Sequence, residues 1–226
     1  MNTGAAQAGE IVSIGPARAD ATAVTILLHG RGRSAAEMRD LAVRLNVPSI
    51  RFLMPQAPDG TWYPQRFTAP LAENEPALSR SLAACARLVD DLIAEGTEPE
   101  NIILGGFSQG ACLIAEFVVR HPRSYGAVLV FTGGLIGPPE THWPVTPALR
   151  GVPVYLTGCT IDEWVPVERV EETARVFEAT GARVKLHIFD DRDHHICAEE
   201  IRAAHDVLVR WETDDTSGRE PRRASH

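Results

Sequence analysis

The residues best suited to covalent chemistry form a short motif near the middle of the chain. Gly106-Phe-Ser108-Gln-Gly110 fits the pattern G-x-S-x-G, in which a serine occupies a sharp turn between a strand and a helix. Such a turn leaves no room for a Cβ two residues before or after the serine, which explains the glycines. It also holds the serine Oγ at a helix N-terminus, where peptide N–H groups can stabilise an oxyanion. We therefore predict that Ser108 is a nucleophile.

The sequence on both sides of this motif predicts the elements that the turn requires. The apolar run 102–104 predicts a buried strand, and the apolar periodicity of 111–119 predicts a helix. Five-residue patterns with three fixed positions also recur by chance in loops. The strand before and the helix after Ser108 are what favour the functional interpretation.

A serine hydroxyl is a weak nucleophile at neutral pH, so it needs a base and an acid that orients the base. Asp162 lies between a predicted strand and a predicted helix, and His194 and His195 follow the last predicted strand. The order serine, aspartate, histidine is typical of α/β-hydrolases. We prefer Asp162 to the carboxylates of 190–193, because an acid on the histidine's own loop rarely reaches Nδ1. The residues alone leave His194 and His195 open as the base.

Backbone N–H groups are predicted to complete this site. The glycines of the stretch 29–32, which follows an apolar strand at 23–28, allow N–H groups to face a cleft. One N–H from Arg31 and one from Gln109 are predicted to form an oxyanion hole. His29 is interpreted as a residue that braces this turn. The remaining histidines are interpreted as surface or satisfied side chains: His121, His142, His187, His205 and His226.

A long stretch with little periodicity, 55–76, precedes a strongly amphipathic segment at 77–94. Loops of this length in a compact domain are usually functional or disordered. Its aromatic side chains Trp62, Tyr63 and Phe67 predict the wall of a binding cleft. Together with Trp164, which follows the proposed acid, they are our candidate substrate-binding residues.

Strands and helices alternate along the chain, which predicts an α/β fold with a mostly parallel central sheet and helices on both faces. Ligands bind such sheets at the carboxyl ends of the strands, where the candidate residues lie. A capping box from Ser34 to Glu37 is predicted to begin the first helix, and the last helix is predicted to end near Trp211. We predict a single domain over 1–211 and a disordered tail over 212–226, which is polar and aperiodic.

Composition excludes several other classes. With a net charge of −8 over 226 residues, the chain lacks the basic surface of a nucleic-acid-binding protein. The four cysteines have no C-x-x-C or His-paired spacing, so neither a structural metal nor a disulfide framework is expected, and we interpret them as buried thiols. The N-terminus resembles no signal peptide and no apolar run approaches a membrane span. We expect a cytoplasmic protein with no stable membrane association.

At this point the residues resemble the phospholipase/carboxylesterase family of the α/β-hydrolase superfamily, which includes the acyl-protein thioesterases. The stretches that carry the resemblance are 28–32, 55–58, 62–64, 105–110, 158–166 and 194–200. The family's catalytic loop reads His-x-Ile-x-x-Glu-Glu, so the resemblance implies His194 as the base, with Ser108 as nucleophile and Asp162 as acid. It implies oxyanion donors at Arg31 and Gln109, and no metal or other cofactor. A homodimer is compatible with it, since some members form one.

Two departures from the family bear on the substrate. Many members have His-Gly-Leu-Gly-Asp where this chain has Arg31 and Arg33, and many have glycine where it has Asp193. We therefore expect a serine carboxylesterase for small soluble esters, and we hypothesise that Arg31 or Arg33 favours substrates bearing a negative group. The alternatives are an acyl-protein thioesterase or lysophospholipase with the same three residues, and a non-catalytic ligand receptor on a hydrolase shell.

Overall fold

Seven strands form one sheet in a computed structural model that describes residues 10–218, with side chains through residue 213. The strands are β1 (Ile11–Ile14), β2 (Ala23–Leu28), β3 (Ile50–Pro55), β4 (Ile102–Phe107), β5 (Ala127–Phe131), β6 (Pro153–Cys159) and β7 (Arg183–Phe189). Their order is β1-β3-β2-β4-β5-β6-β7. Only β1 is antiparallel to its neighbour among these strands, so the prediction of a mostly parallel sheet is confirmed.

Helices cover both faces of the sheet, as predicted. They are α1 (Ala35–Leu45), α2 (Leu71–Asn74), α3 (Ala77–Ala94), α4 (Gln109–Arg120), α5 (Val167–Ala179) and α6 (Ala198–Gly218). Helices α1 and α6 share one apolar core, and α3, α4 and α5 share the other. The central strands serve both cores because successive side chains point to opposite faces: Ile26 joins the second core and Leu27 the first.

The strand order places a crevice between β2 and β4. Strand β3 follows β2 in the chain and pairs on one side of it, whereas β4 pairs on the other side. The connections that leave the carboxyl ends of β2 and β4 therefore diverge, and such a switch point is where open α/β sheets bind ligands. His29 follows β2 and Ser108 follows β4 directly.

The predicted capping box of α1 is half present. The Glu37 N–H donates to Ser34 Oγ (3.4 Å), so Ser34 is the N-cap. The Glu37 carboxylate does not complete the box, because it pairs with Arg33 at 2.9 Å instead.

The end of the chain differs from the prediction. Helix α6 does not stop near Trp211 but continues to Gly218, so the first residues of the predicted tail are helical. Polar, charged residues were interpreted as disorder, yet they are also compatible with a helix whose outer face is solvated. Residues 219–226 lie outside the described residues, and the division into one domain over 1–211 stays a prediction.

Within residues 10–218, no helix is both long enough and apolar enough to cross a membrane.

Candidate active site

The turn that carries Ser108 has the geometry expected of G-x-S-x-G. Ser108 adopts φ 53° and ψ −118°, a conformation that L-residues rarely occupy and that requires support from the surrounding structure. Its N–H donates to the Phe131 carbonyl (3.0 Å) and its carbonyl accepts from the Cys112 N–H (2.9 Å). Main-chain bonds to β5 and to the first turn of α4 thus fix the strained residue on both sides.

The two glycines are required by close main-chain contacts. A Cβ on Gly106 would lie 2.5 Å from the carbonyl carbon of Gly110. A Cβ on Gly110 would overlap the carbonyl oxygen of Leu28 at the end of β2. The motif therefore packs the start of α4 directly against two strands, which places Ser108 at the switch point.

A hydroxyl, an imidazole and a carboxylate form a continuous hydrogen-bonded row. His194 Nε2 lies 2.8 Å from Ser108 Oγ, and His194 Nδ1 lies 2.7 Å from Asp162 Oδ2. The other carboxylate oxygen accepts the N–H groups of Trp164 (2.8 Å) and Val165 (2.9 Å). Because Asp162 accepts at Nδ1, the proton sits on that nitrogen and leaves Nε2 free to accept from the serine hydroxyl.

The Asp162 carboxylate stays ionised despite its burial. Its side chain is fully shielded from solvent, and burial alone would raise its pKa. Hydrogen bonds from His194, Val165 and Trp164 outweigh that effect and hold the pKa of Asp162 below its ordinary value. A charged carboxylate at this place can stabilise an imidazolium on His194.

The structure separates the two neighbouring histidines that the residues alone left open. His195 is exposed, and its backbone N–H donates to the Asp193 carbonyl (2.7 Å). His194 alone of the pair contacts Ser108. The nearby carboxylates Asp190 and Asp191 are exposed and do not contact the His194 ring.

The histidine loop, residues 190–197, is held by a buried polar cluster that the sequence did not reveal. Arg192 donates to Thr132 Oγ1 (2.8 Å) and to the His195 carbonyl, and lies 3.3 Å from Glu200. Glu200, fully buried at the start of α6, accepts from Thr157 Oγ1 and from the Cys197 N–H (2.8 Å). A Glu that reaches back to the residue before a helix is half of a capping box. That spacing was visible, but Cys197 is not a typical capping residue.

The predicted oxyanion donors border the same space. The peptide N–H of Gln109 opens α4, and that of Arg31 follows Gly30 in the loop after β2. Neither N–H takes part in a backbone hydrogen bond within residues 10–218. Both residues line the cavity that contains Ser108 and His194. Their role as donors stays a prediction.

The Gln109 side chain has a second task that sequence analysis missed. Its Oε1 accepts the Trp62 N–H (3.0 Å) and its Nε2 donates to the Tyr63 carbonyl (2.7 Å). The residue after Ser108 therefore anchors the long loop 55–76 to the turn. Asn74, which is fully buried, anchors the far end of that loop. Its Oδ1 accepts the Gln65 N–H (2.7 Å) and its Nδ2 donates to the Arg66 carbonyl (3.1 Å).

Three of the four predicted aromatic residues line a cavity, and one does not. A cavity of about 340 Å³ opens above Ser108, and Tyr63, Phe67 and Trp164 line it. The lining also includes polar and charged residues from three loops and from the start of α4, namely Arg31, Arg33, Gln65, Arg66, His194 and Gln109. Trp62 is not part of the lining, because its indole is buried in the core.

Trp62 and His29 instead support each other beneath the cavity. The Trp62 Nε1–H donates to the His29 carbonyl (2.8 Å). His29 is fully buried; its Nδ1–H donates to the Gly30 carbonyl (2.7 Å) and its Nε2 accepts the Ala57 N–H (3.0 Å). Burial lowers the pKa of His29, so it remains neutral and braces the turn as predicted.

Cys112, the cysteine on the cavity lining, is unsuited to thiol chemistry. Cys112 lines the cavity but is buried, and burial raises its pKa to about 12. A thiol reacts as its thiolate, which is therefore scarce at neutral pH. The prediction that Cys112 is a packing residue agrees with this environment.

Comparison with known proteins identifies the family of this chain. The family model for phospholipase/carboxylesterase matches residues 10–212. The chain is 29% identical to acyl-protein thioesterase 1 of Eremothecium gossypii, over 76% of this chain and 80% of that protein. Among solved structures, a phospholipase/carboxylesterase from Dyadobacter fermentans superposes with a TM-score of 0.84 at 34% identity, covering 92% of this chain and all of that chain. A Bacillus cereus carboxylesterase gives a TM-score of 0.72 at 20% identity, over 91% and 95% of the two chains, which concerns the fold alone.

The sheet of seven strands and its two helical layers are thus the α/β-hydrolase fold, and the predicted family resemblance is confirmed. With a family model that spans nearly the whole described chain, and a relative of known structure that is 34% identical and covers 92% of it, this chain belongs to the phospholipase/carboxylesterase family of ester hydrolases.

Proposed function

We propose that the protein is a serine carboxylesterase that hydrolyses small soluble carboxylic esters through an acyl-enzyme. The observation that carries the proposal is the row Ser108 Oγ–His194 Nε2–His194 Nδ1–Asp162 Oδ2, with separations of 2.8 and 2.7 Å, on the wall of a cavity. These distances lie within the reach required of a nucleophile, its base and the group that orients the base.

In the first half of the reaction, Ser108 Oγ attacks the ester carbonyl carbon while His194 Nε2 takes the hydroxyl proton. The N–H groups of Arg31 and Gln109 bind the oxyanion that forms, and the Asp162 carboxylate stabilises the imidazolium. The tetrahedral intermediate then collapses. The C–O bond to the alcohol breaks, His194 returns its proton to the leaving oxygen, and the acyl group stays on Ser108.

In the second half, water takes the place of the alcohol. His194 removes a proton from water as its oxygen attacks the acyl carbon, and the same N–H groups bind the second oxyanion. The bond to Ser108 Oγ breaks, the serine recovers its proton from His194, and the carboxylic acid leaves. The imidazole must be neutral to accept each proton.

The size of the cavity favours short substrates. Its volume of about 340 Å³ lies at the lower end of the range for ligand sites, roughly 300–1,000 Å³. The relative from Eremothecium gossypii is named an acyl-protein thioesterase, and the same three residues serve that chemistry. The thioesterase alternative would need a longer apolar groove to hold its acyl chain.

The test is hydrolysis of a p-nitrophenyl ester series from acetate to palmitate by wild type, Ser108→Ala and Asp162→Asn. We expect the highest kcat/KM for short chains and a loss of roughly 10⁴-fold or more in kcat for each variant. The matched control is Ser79→Ala, since Ser79 lies on the outer face of α3 and should retain wild-type rates.

Each other outcome points to a different function. Rates that climb toward palmitate would replace small esters with the thioesterase or lysophospholipase alternative. Ester hydrolysis that persists in Ser108→Ala would refute the acyl-enzyme mechanism. Wild-type protein that is inert on every ester would favour a ligand receptor.

A further inference from the structure

The cavity above Ser108 is lined by positively charged side chains, although the protein as a whole is acidic. The chain carries a net charge of −8, yet three arginines line the cavity and its described lining contains no aspartate or glutamate. Arg31 and Arg33 come from the loop after β2, whereas Arg66 comes from the long loop 55–76. A concave site lined by a single sign of charge raises the local concentration of ligands of the opposite sign.

Arg31 is held in place but keeps most of its donors. Its guanidinium donates to the carbonyls of Pro64 (2.7 Å) and Gln65, and lies 5.9 Å from the centre of the Tyr63 ring. Carbonyl oxygens orient a guanidinium without neutralising it. Three of its five N–H donors remain, and no carboxylate pairs with it in the described part of the chain.

Arg66, on the long loop 55–76, is also oriented by a carbonyl and an aromatic ring. It donates to the Glu163 carbonyl (2.9 Å) and lies over the Trp164 ring at 5.5 Å. It too has no carboxylate partner within residues 10–213. Its bond to the loop after Asp162 places a second unneutralised guanidinium at the mouth of the same cavity.

Arg33 differs from these two. It forms a 2.9 Å ion pair with Glu37, one turn along α1, and its guanidinium lies 6.0 Å from the centre of the Phe107 ring. Its charge is therefore already balanced. The sequence suggested that Arg31 or Arg33 favours an anionic group. Because Arg33 is already paired, Arg31 is the better candidate, and Arg66 joins it although no sequence motif indicated it.

We infer that Arg31 and Arg66 form an anion-binding subsite, and that the substrate is an ester bearing a carboxylate or phosphate besides the scissile bond. The inference rests on the proposed esterase function and adds the substrate class. Two preoriented guanidiniums match the oxygens of carboxylate and phosphate groups, to which arginine binds through paired hydrogen bonds. The apolar side chains of Tyr63, Phe67 and Trp164 then contact the uncharged part of the ester.

The experiment compares esters that differ only in the anionic group. Methyl hydrogen glutarate and methyl pentanoate have the same length, and 1-acetylglycerol 3-phosphate is compared with 1-acetylglycerol. Acid release is followed in a pH-stat for wild type, Arg31→Gln, Arg66→Gln and the double variant. The glutarate pair reports on carboxylate and the glycerol pair on phosphate.

We expect wild type to prefer the charged member of at least one pair. The ratio of kcat/KM for charged over neutral ester should fall about tenfold for each arginine removed, as expected for a hydrogen bond to a charged group. Arg31→Lys should retain part of the ratio, because it keeps the charge without the fork of donors. Salt should lower the ratio, since these guanidiniums are exposed.

The matched control is Arg39→Gln, which removes one positive charge from an exposed position on α1 outside the cavity lining. It should keep the wild-type ratio. A ratio that is the same in wild type and the double variant for both pairs would overturn the anion subsite. If methyl pentanoate were still hydrolysed, and Ser108→Ala abolished that rate, the esterase proposal would stand.

A binding measurement keeps the inference testable if no ester in the set is hydrolysed. Calorimetric titration of Ser108→Ala with methyl hydrogen glutarate or 1-acetylglycerol 3-phosphate should give tighter binding than its neutral partner. Adding Arg31→Gln and Arg66→Gln should abolish that difference. Equal binding of charged and neutral esters would refute the subsite independently of turnover.

Discussion

The turn of Ser108 and the loop of His194 supply the two ends of one hydrogen bond, but they are built from different contacts. The turn is fixed by main-chain atoms: glycines that meet carbonyl groups, and Ser108 N–H bonded to the Phe131 carbonyl. The histidine loop is fixed by side chains, chiefly the buried pair of Arg192 and Glu200, which lie 3.3 Å apart.

This difference determines how each region responds to mutation. Main-chain packing at the turn tolerates little added side-chain volume, because its close contacts exist only where glycine has no Cβ. Charge plays no part in those contacts. A buried ion pair is sensitive to charge, because removing one partner leaves the other charge unpaired away from water. The two regions should therefore fail under different substitutions.

The largest effect on stability is expected for the turn. Gly110→Ala would force a Cβ into the carbonyls of Leu28 and His29, and we expect the free energy of unfolding to fall by more than about 4 kcal/mol, or soluble protein to be lost. Urea unfolding measures the change. Gly151→Ala is the control: a Cβ there meets no atom within 4 Å, so only its positive φ should cost about 1–2 kcal/mol. Equal losses at both positions would contradict the steric account.

A smaller loss is expected for the histidine loop. Glu200→Gln keeps the shape of the side chain but leaves Arg192 buried without its counter-charge, so we expect a loss of about 3 kcal/mol. We also expect kcat to fall more than KM changes, because the loop orients His194. Arg192→Met in the same chain should restore part of the stability, as two partners of one interaction do not add independently. Additive losses in the double variant would show that the pair is not coupled.

The smallest effect concerns His29, which braces the turn after β2. Its pKa is lowered in the folded protein, so as pH falls below about 6.5 the unfolded chain binds a proton that the folded chain does not. The folded state therefore loses stability with acid, by at most about 1.4 kcal/mol per pH unit. Urea midpoints at pH 7.5 and 5.5 should fall less in His29→Gln than in wild type. An equal fall would assign the pH dependence to other groups, such as His121, whose pKa is also lowered.

Much of the fold was predictable because its signals are local. The amphipathic segment 77–94 is α3 and the apolar run 23–28 is β2, both with the predicted bounds. The predicted end of α6 was wrong because polar residues are compatible both with a solvated helix and with a disordered tail. Trp62 was predicted to line the cleft but lies in the core, because spacing along the sequence does not show whether an aromatic side chain faces a cavity or the core beneath it.

The sequence by itself determined the turn that carries Ser108, the chain order of Ser108, Asp162 and His194, and the family, since these depend on residue type and spacing along the chain. Only the tertiary structure decided which side chains lie together: His194 with Asp162 and Ser108, Arg192 with Thr132, and Arg66 with Arg31 on the lining of one cavity. Those contacts join segments far apart in the chain, and they form only where strand order brings the loops to one edge of the sheet. The guanidiniums of Arg31 and Arg66, which have no carboxylate partner within residues 10–213, belong to this second class, because an arginine's charge partner is a neighbour in space rather than in sequence.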